Sequence, residues 1–532
     1  MLPPPPPPSA AWAPLDSFAP AAAPAFAPPP PSQPTPPSGY RPSAALPFTV
    51  RSSNKVGRSV AAVLVALLLV AGSGWVAASR FDAGPQFPRK WDPRVVDIVH
   101  FVERFRGHTF KHPVAVYFLS VADYKKSTSD GGSDQPSAKD RSDSADDLAE
   151  YRAMGLIQGE PDLLAAGQKI FDDGTLAYYT PTDKVVNIKG TEMSIGLQVT
   201  LAHELTHALQ DQYFDLSKIQ DGLAPDEAGA VRSVIEGDAV ATENAYVKQL
   251  SEADRQAYLA QNDKDVDEAN GNLSSVPQIL TTQFGGLYQL GQGFVEFLES
   301  EPDSEDPKPT NVDEALREPP TSSGQLFDPA TFLDHTSVTD VETPKQDGVA
   351  KVYEKSSFGA SLLFLMMSER IAPSTAMVAI DGWRGDAYQA AKLTTPRGKR
   401  MCIAADIATA SAHDATELHD ALTAWRDRLP AEADATVASP TAGPAYSVSF
   451  ATCDPGAKAD VKLTGQSKDA MNYPLSRLEV AASMVKAGAD RTKALCIGTA
   501  LVVRLEPSDL TDNGPEAGAR IQGAAAAARA KC

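Results

Sequence analysis

Basic charge is in short supply in this chain of 532 residues: 48 lysines and arginines face 68 aspartates and glutamates, for a net charge of −20. An acidic exterior of that size repels a phosphate backbone, so nucleic acid is excluded as a partner. Cysteine is scarcer still. The four present, Cys402, Cys453, Cys496 and Cys532, all fall in the C-terminal third. None is near His203 and His207, which excludes a thiolate metal site there. Their even number favours two disulfides in an exported protein, with three connectivities open. Internal repeats are lacking too, so solenoid and propeller architectures drop out. What remains is a length that allows two or three domains and a hydrophobic content of 42%, ample for a packed core.

Proline is concentrated at the front. Residues 1–57 are dominated by Pro, Ala and Ser, with six consecutive prolines after Leu2. Such a segment favours extended polyproline II over a packed fold. It is expected to be a disordered cytoplasmic tail, a spacer whose proline motif could also engage an SH3-like or WW-like partner. Charge is absent from only one long apolar run, Val60 to Ala78, which would span roughly 28 Å as a helix and suits one bilayer crossing. Arg51, Lys55 and Arg58 on its N-terminal flank would keep the tail inside and export everything after Arg80. Val76-Ala77-Ala78 has the small-residue look of a signal-peptidase site, but the length of the run favours an uncleaved signal anchor over 58–79. The expectation is a single-pass protein of the cell membrane with an extracytoplasmic body.

Periodicity in that body predicts a helix over Val95 to Arg106 and a strand over Pro113 to Leu119. Two short strands, Leu176 to Tyr179 and Val185 to Ile188, are joined by a turn at Pro181-Thr182-Asp183. A Ser-, Asp- and Gly-rich stretch over 125–147 reads as a disordered insertion. Pro225 opens a helical stretch to about Leu250, with further helices near Gly291 to Leu298, Ser356 to Arg370 and Glu417 to Trp425. Strand character marks Arg400 to Ile407, Ala445 to Thr452 and Ala494 to Leu505. The fold class expected is α+β: one domain over 80–395, then a small disulfide-tied α/β module over 396–532.

Only eight histidines occur, yet two of them form His203-Glu204-Leu205-Thr206-His207. A random chain of this composition would show that pattern with a probability on the order of one per cent. It sits in a helix-compatible, mostly apolar run from Ile195 to Leu209, where spacing by four puts both imidazoles on one face. Buried beside a carboxylate, the two rings call for a metal ion. Two histidines leave a catalytic zinc one protein ligand short. The third cannot be a metzincin histidine, because that position is Tyr213 and the expected glycine is Gln210. A carboxylate from the following helix is the remaining common solution. Glu236 is the best candidate, mid-helix beside Gly237, where another helix can approach closely.

The motif from His203 to Gln212, followed by Glu236-Gly237-Asp238-Ala239, resembles the gluzincin branch of zinc peptidases, whose members share a thermolysin-like catalytic fold. It is similar in particular to membrane-anchored members of actinobacterial type. Further matching stretches are Tyr288 to Gly291, Phe294-Val295, Pro319 to Ser322, Gly382 to Asp386 and Cys453 to Gly456, so the likeness covers about residues 91 to 505. The spacing from His207 to Glu236 is longer than in thermolysin-like enzymes. The resemblance implies that His203, His207 and Glu236 bind Zn2+ and that Glu204 is the general base of a peptidase acting on peptide or protein substrates. Asp238 and Asp211 are the carboxylates available to orient the imidazoles. Tyr288 and His335 are candidates for the group that polarises the reacting carbonyl. His100, His108, His112, His413 and His419 lie outside any such motif and read as surface or packing residues. The rival expectations are a binding or scaffold protein that keeps the fold without turnover, and a zinc hydrolase acting on other bonds.

Overall fold

In the computed structural model, residues 87–128, 136–300, 310–442, 445–511 and 515–532 are described. The expected proline-rich tail over 1–57, with its proline-motif partner, and the expected anchor over 58–79 lie outside these residues. Among the described residues no helix is long and apolar enough to cross a membrane. The single-pass membrane placement is corrected on that finding and is not carried further.

The chain is mixed α+β and builds two hydrophobic cores. The smaller one forms under a three-stranded sheet of β1 (Ala115–Leu119), β2 (Ala177–Thr180) and β3 (Val185–Lys189). Their order is β1-β3-β2, with β1 parallel and β2 antiparallel to β3. The turn after Thr180 makes β2 and β3 a hairpin, and both outer strands are edges. Val186 and Ile188 of β3 pack on Val95, Ile98, Val99 and Val102 in and beside helix α1 (Val96–Arg106). They also meet Leu201, Leu205 and Leu209 of helix α2 (Ile195–Phe214). Those leucines recur every four residues, which leaves another face of α2 for the histidines. Ser194 starts α2 by accepting the Leu197 amide at 3.1 Å.

The larger core runs as one cluster from Leu148 to Ala528. Two long helices enter it from the side of α2: α3 (Pro225–Gln249), opened by proline at its first turn, and α4 (Gln278–Leu298). A six-stranded sheet lies on the far side, ordered β4 (Val349–Ser356), β5 (Trp383–Thr395), β6 (Gly398–Thr409), β9 (Tyr446–Cys453) and β7 (Thr436–Val437), with β8 (Thr441–Ala442) also paired to β9. Cys402 and Cys453 are register partners across β6 and β9 and form one disulfide. Cys496 and Cys532 form the other, so both expected bridges exist.

Three expectations are corrected. The stretch over 125–147 is no disordered insertion where it is described: helices cover Val121–Thr128 and Ala138–Ala153. The second is fixed by a capping box between Ser137 and Asp140. Its acidic residues are pairing groups, since Asp146 takes Lys392 at 2.6 Å and Asp147 takes the Tyr353 hydroxyl at 2.5 Å. The boundary at 395/396 cuts the β5–β6 hairpin, where Thr395 pairs with Gly398. The residues beyond it share the large core with α3 and α4 and so form no separate module. Ala494 to Leu505 is no strand, because Arg491–Val502 is a helix capped by Asp490 on the Lys493 amide. A short apolar run fits a buried helix as well as a strand, and here the cap decides.

Candidate metal centre

α2 belongs to the small core and the first turns of α3 to the large one, and the site lies where they meet. His203 and His207 sit one turn apart on α2 and face Glu236 of α3. The Nε2 atoms of the two rings are 3.1 Å apart. Each lies 3.2 Å from the same oxygen, Glu236 Oε2. A tetrahedral ion with bonds of about 2.0 to 2.1 Å holds its ligand atoms about 3.3 Å apart, so the triangle has the size a zinc-like ion requires. All three side chains are buried, and they alone among the described residues form a group able to hold a metal ion.

The groups on the far side of each ring make that reading chemical as well as geometric. His207 Nδ1 is 3.0 Å from Gln210 Oε1, and the Gln210 amide is turned that way because its Nε2 donates to Asp238 at 2.7 Å and to the Ile235 carbonyl at 3.1 Å. His203 Nδ1 lies 3.3 Å from Glu243 Oε2. An acceptor behind each Nδ1 would keep a hydrogen there, and the Nε2 atoms face Glu236. A metal ion bound there would replace the proton that His203 otherwise shares with Glu236.

Charge agrees with this. Glu204, Glu236 and Glu243 gather here around a single arginine, Arg232, an excess of acidic side chains that draws a cation. Burial opposes a charged His203 ring, but Glu236, Glu243 and then Glu204 override it and hold its pKa up to about 10. Burial likewise pushes the Glu236 carboxyl up, yet Arg232 and the two histidines hold it well below the ordinary value. The pocket is built for positive charge.

Glu204 projects from α2 toward β2, where its Oε2 accepts the Tyr179 amide at 2.7 Å. That amide belongs to an edge strand, which settles which strand lies beside the carboxylate. Tyr288 reaches the site from α4, its ring 6.1 Å from that of His203 and tilted 25°. Burial, followed by the charge of Glu236, holds its phenol well above the usual value, so it remains a donor. α4 comes this near because Gly237 and Gly291 meet: a Cβ on Gly237 would stand 2.2 Å from the Gly291 carbonyl oxygen, and one on Gly291 1.9 Å from that of Ser233. The expected close approach at Gly237 is therefore made by α4.

Not every expected residue arrives. His335 is exposed on a turn after Leu333 with a left-handed backbone, and no contact joins it to the site. Asp211 does not touch the imidazoles; it takes the Tyr179 hydroxyl and Lys184 Nζ, each at 2.6 Å, and so pins β2 to α2. Asp238 acts one step removed, through Gln210, and is itself held by Arg106 Nε at 3.0 Å. Sequence reading missed Glu243, Gln210 in this role, and Arg232, whose Nε donates to Glu236 Oε1 at 2.6 Å. Helical spacing carried the signal, since Gln210 follows His207 by three residues, Arg232 precedes Glu236 by four and Glu243 follows it by seven.

No family model, curated protein or solved structure matches the chain.

Proposed function

We propose that this protein is a zinc-dependent hydrolase of peptide bonds with a gluzincin-type site. The observation that supports the reading best is the convergence of His203, His207 and Glu236 with an intact Glu204 on the same helix. A short mixed sheet, the motif helix beside its edge, and a second helix supplying the acid suit a thermolysin-like arrangement. When bound, zinc would polarise the scissile carbonyl and bring the pKa of a water toward about 7. Glu204 would take the proton from that water and return it to the leaving amine, with no covalent intermediate. Its bond to the Tyr179 amide holds the carboxylate against the edge strand, where an extended substrate would lie. Tyr288 would donate to the carbonyl oxygen as it gains charge.

The test measures zinc content and cleavage of a mixed peptide library by the full chain and two variants. Glu204→Gln should keep its zinc and lose turnover by about 10²- to 10⁴-fold. Glu236→Ala should lose zinc. Equal cleavage by wild type and Glu204→Gln would overturn the assignment.

A further inference from the structure

Arg232 is placed for more than holding Glu236. Its Nε bond to Glu236 Oε1 fixes the guanidinium plane beside the metal-binding carboxylate, and the side chain remains 27% exposed. No other hydrogen bond or ion pair engages it among the described residues, so the donors on Nη1 and Nη2 are unspent. The carboxylates that act on it are Glu236 and, further off, Glu204, which flank the reacting position under the reading above. A guanidinium offers five N–H donors in a fixed fork, and only one edge of this one is used.

With His335 away from the site, Tyr288 is left as the one expected donor for the developing negative charge. We propose that Arg232 is a second oxyanion-binding group of this site, its free Nη edge donating to the carbonyl oxygen of the scissile amide as that oxygen gains charge. The inference rests on the peptidase reading. Arg232 stays protonated throughout and moves no proton; it stabilises by hydrogen bond and charge at a position fixed before substrate arrives. Held by Glu236, it needs no reorganisation during the reaction. Its partial exposure leaves it open to a bound molecule, unlike Arg106, whose side chain is 1% exposed.

The test replaces the metal with cobalt(II) in the full-length protein and uses inorganic phosphate as a tetrahedral anion, read by the cobalt absorption bands at saturating metal. Saturation separates anion binding from any loss of metal affinity. Arg232→Gln should take phosphate about 10- to 100-fold more weakly than wild type and, at full occupancy, lose kcat by about 10²- to 10³-fold with little change in KM. Arg232→Lys keeps the charge without the fork and should fall between the two, which also supplies the reading if the glutamine variant fails to fold. Unchanged phosphate affinity and kcat in fully loaded Arg232→Gln would overturn the proposal and leave Arg232 as a prop for Glu236. Failure of the wild-type protein to bind cobalt would instead overturn the metal site itself, and with it the peptidase reading.

Discussion

At the scale of single residues, the two histidines of the candidate metal centre are backed by polar groups. Gln210 and Glu243 each stand on the Nδ1 side of one imidazole, with Nε2 of each ring toward Glu236. Glu243→Gln keeps the size and removes the charge. It should weaken zinc about 10- to 100-fold in a competition titration, with little change in the unfolding temperature of the metal-free protein. An unchanged zinc affinity would show that the 3.3 Å approach of Glu243 plays no part in ligand orientation. The two histidines and Glu204 were legible in the sequence because their spacing lies within one helix. Glu243 and Arg232 were not, because an acid or base on a helix face gains its role only from what stands opposite.

At the scale of elements, the site depends on how closely two helices cross. The Gly237–Gly291 contact brings α4 against α3, and Tyr288 rides one turn before that contact. A methyl group on Gly237 would meet a backbone oxygen at 2.2 Å, and backbone cannot rotate away as a side chain can. Gly237→Ala should therefore destabilise by about 3 kcal/mol, measured by denaturant unfolding, and should weaken zinc binding as Glu236 is displaced. A stable variant with normal zinc affinity would contradict the packing described. The same scale shows why the acidic helix Ala138–Ala153 looked unstructured. Its sequence has few apolar residues, but Asp146, Asp147 and Arg152 find partners on β4, β5 and the loop after β9, Arg152 gripping both oxygens of Asp454.

At the scale of the whole molecule, several carboxyls are buried beyond the reach of water. Burial, only partly offset by the Tyr353 hydroxyl, raises Asp147 from 3.8 to about 7. Burial also raises Glu299, at the end of α4, from 4.5 to about 7 against the pull of the Val312 amide. A carboxyl whose pKa is raised on folding binds protons more readily folded than unfolded, so its contribution is fully present at low pH and is lost as pH climbs from about 4 to 7. The raised pKa of His203 acts in the same direction between 6.5 and about 10. The lowered carboxyls, Asp92, Asp509 and Glu236, matter only below the ordinary carboxylate range. The metal-free protein should thus unfold at a higher temperature at pH 5 than at pH 8, and Asp147→Asn should flatten that slope. A melting temperature that rises from pH 5 to 8 would refute this account.

The sequence by itself determined the helix that carries His203, Glu204 and His207, the strands beside it, the α+β class and the presence of two disulfides. Each follows from residue spacing along a single element or from a count of one residue type. The pairing of Cys402 with Cys453 and of Cys496 with Cys532, the union of residues beyond 395 with the large core, and the placing of Tyr288 beside His203 were settled only by the tertiary structure. These depend on distances between segments far apart in the chain, and such distances are set by packing two cores against each other rather than by any local pattern.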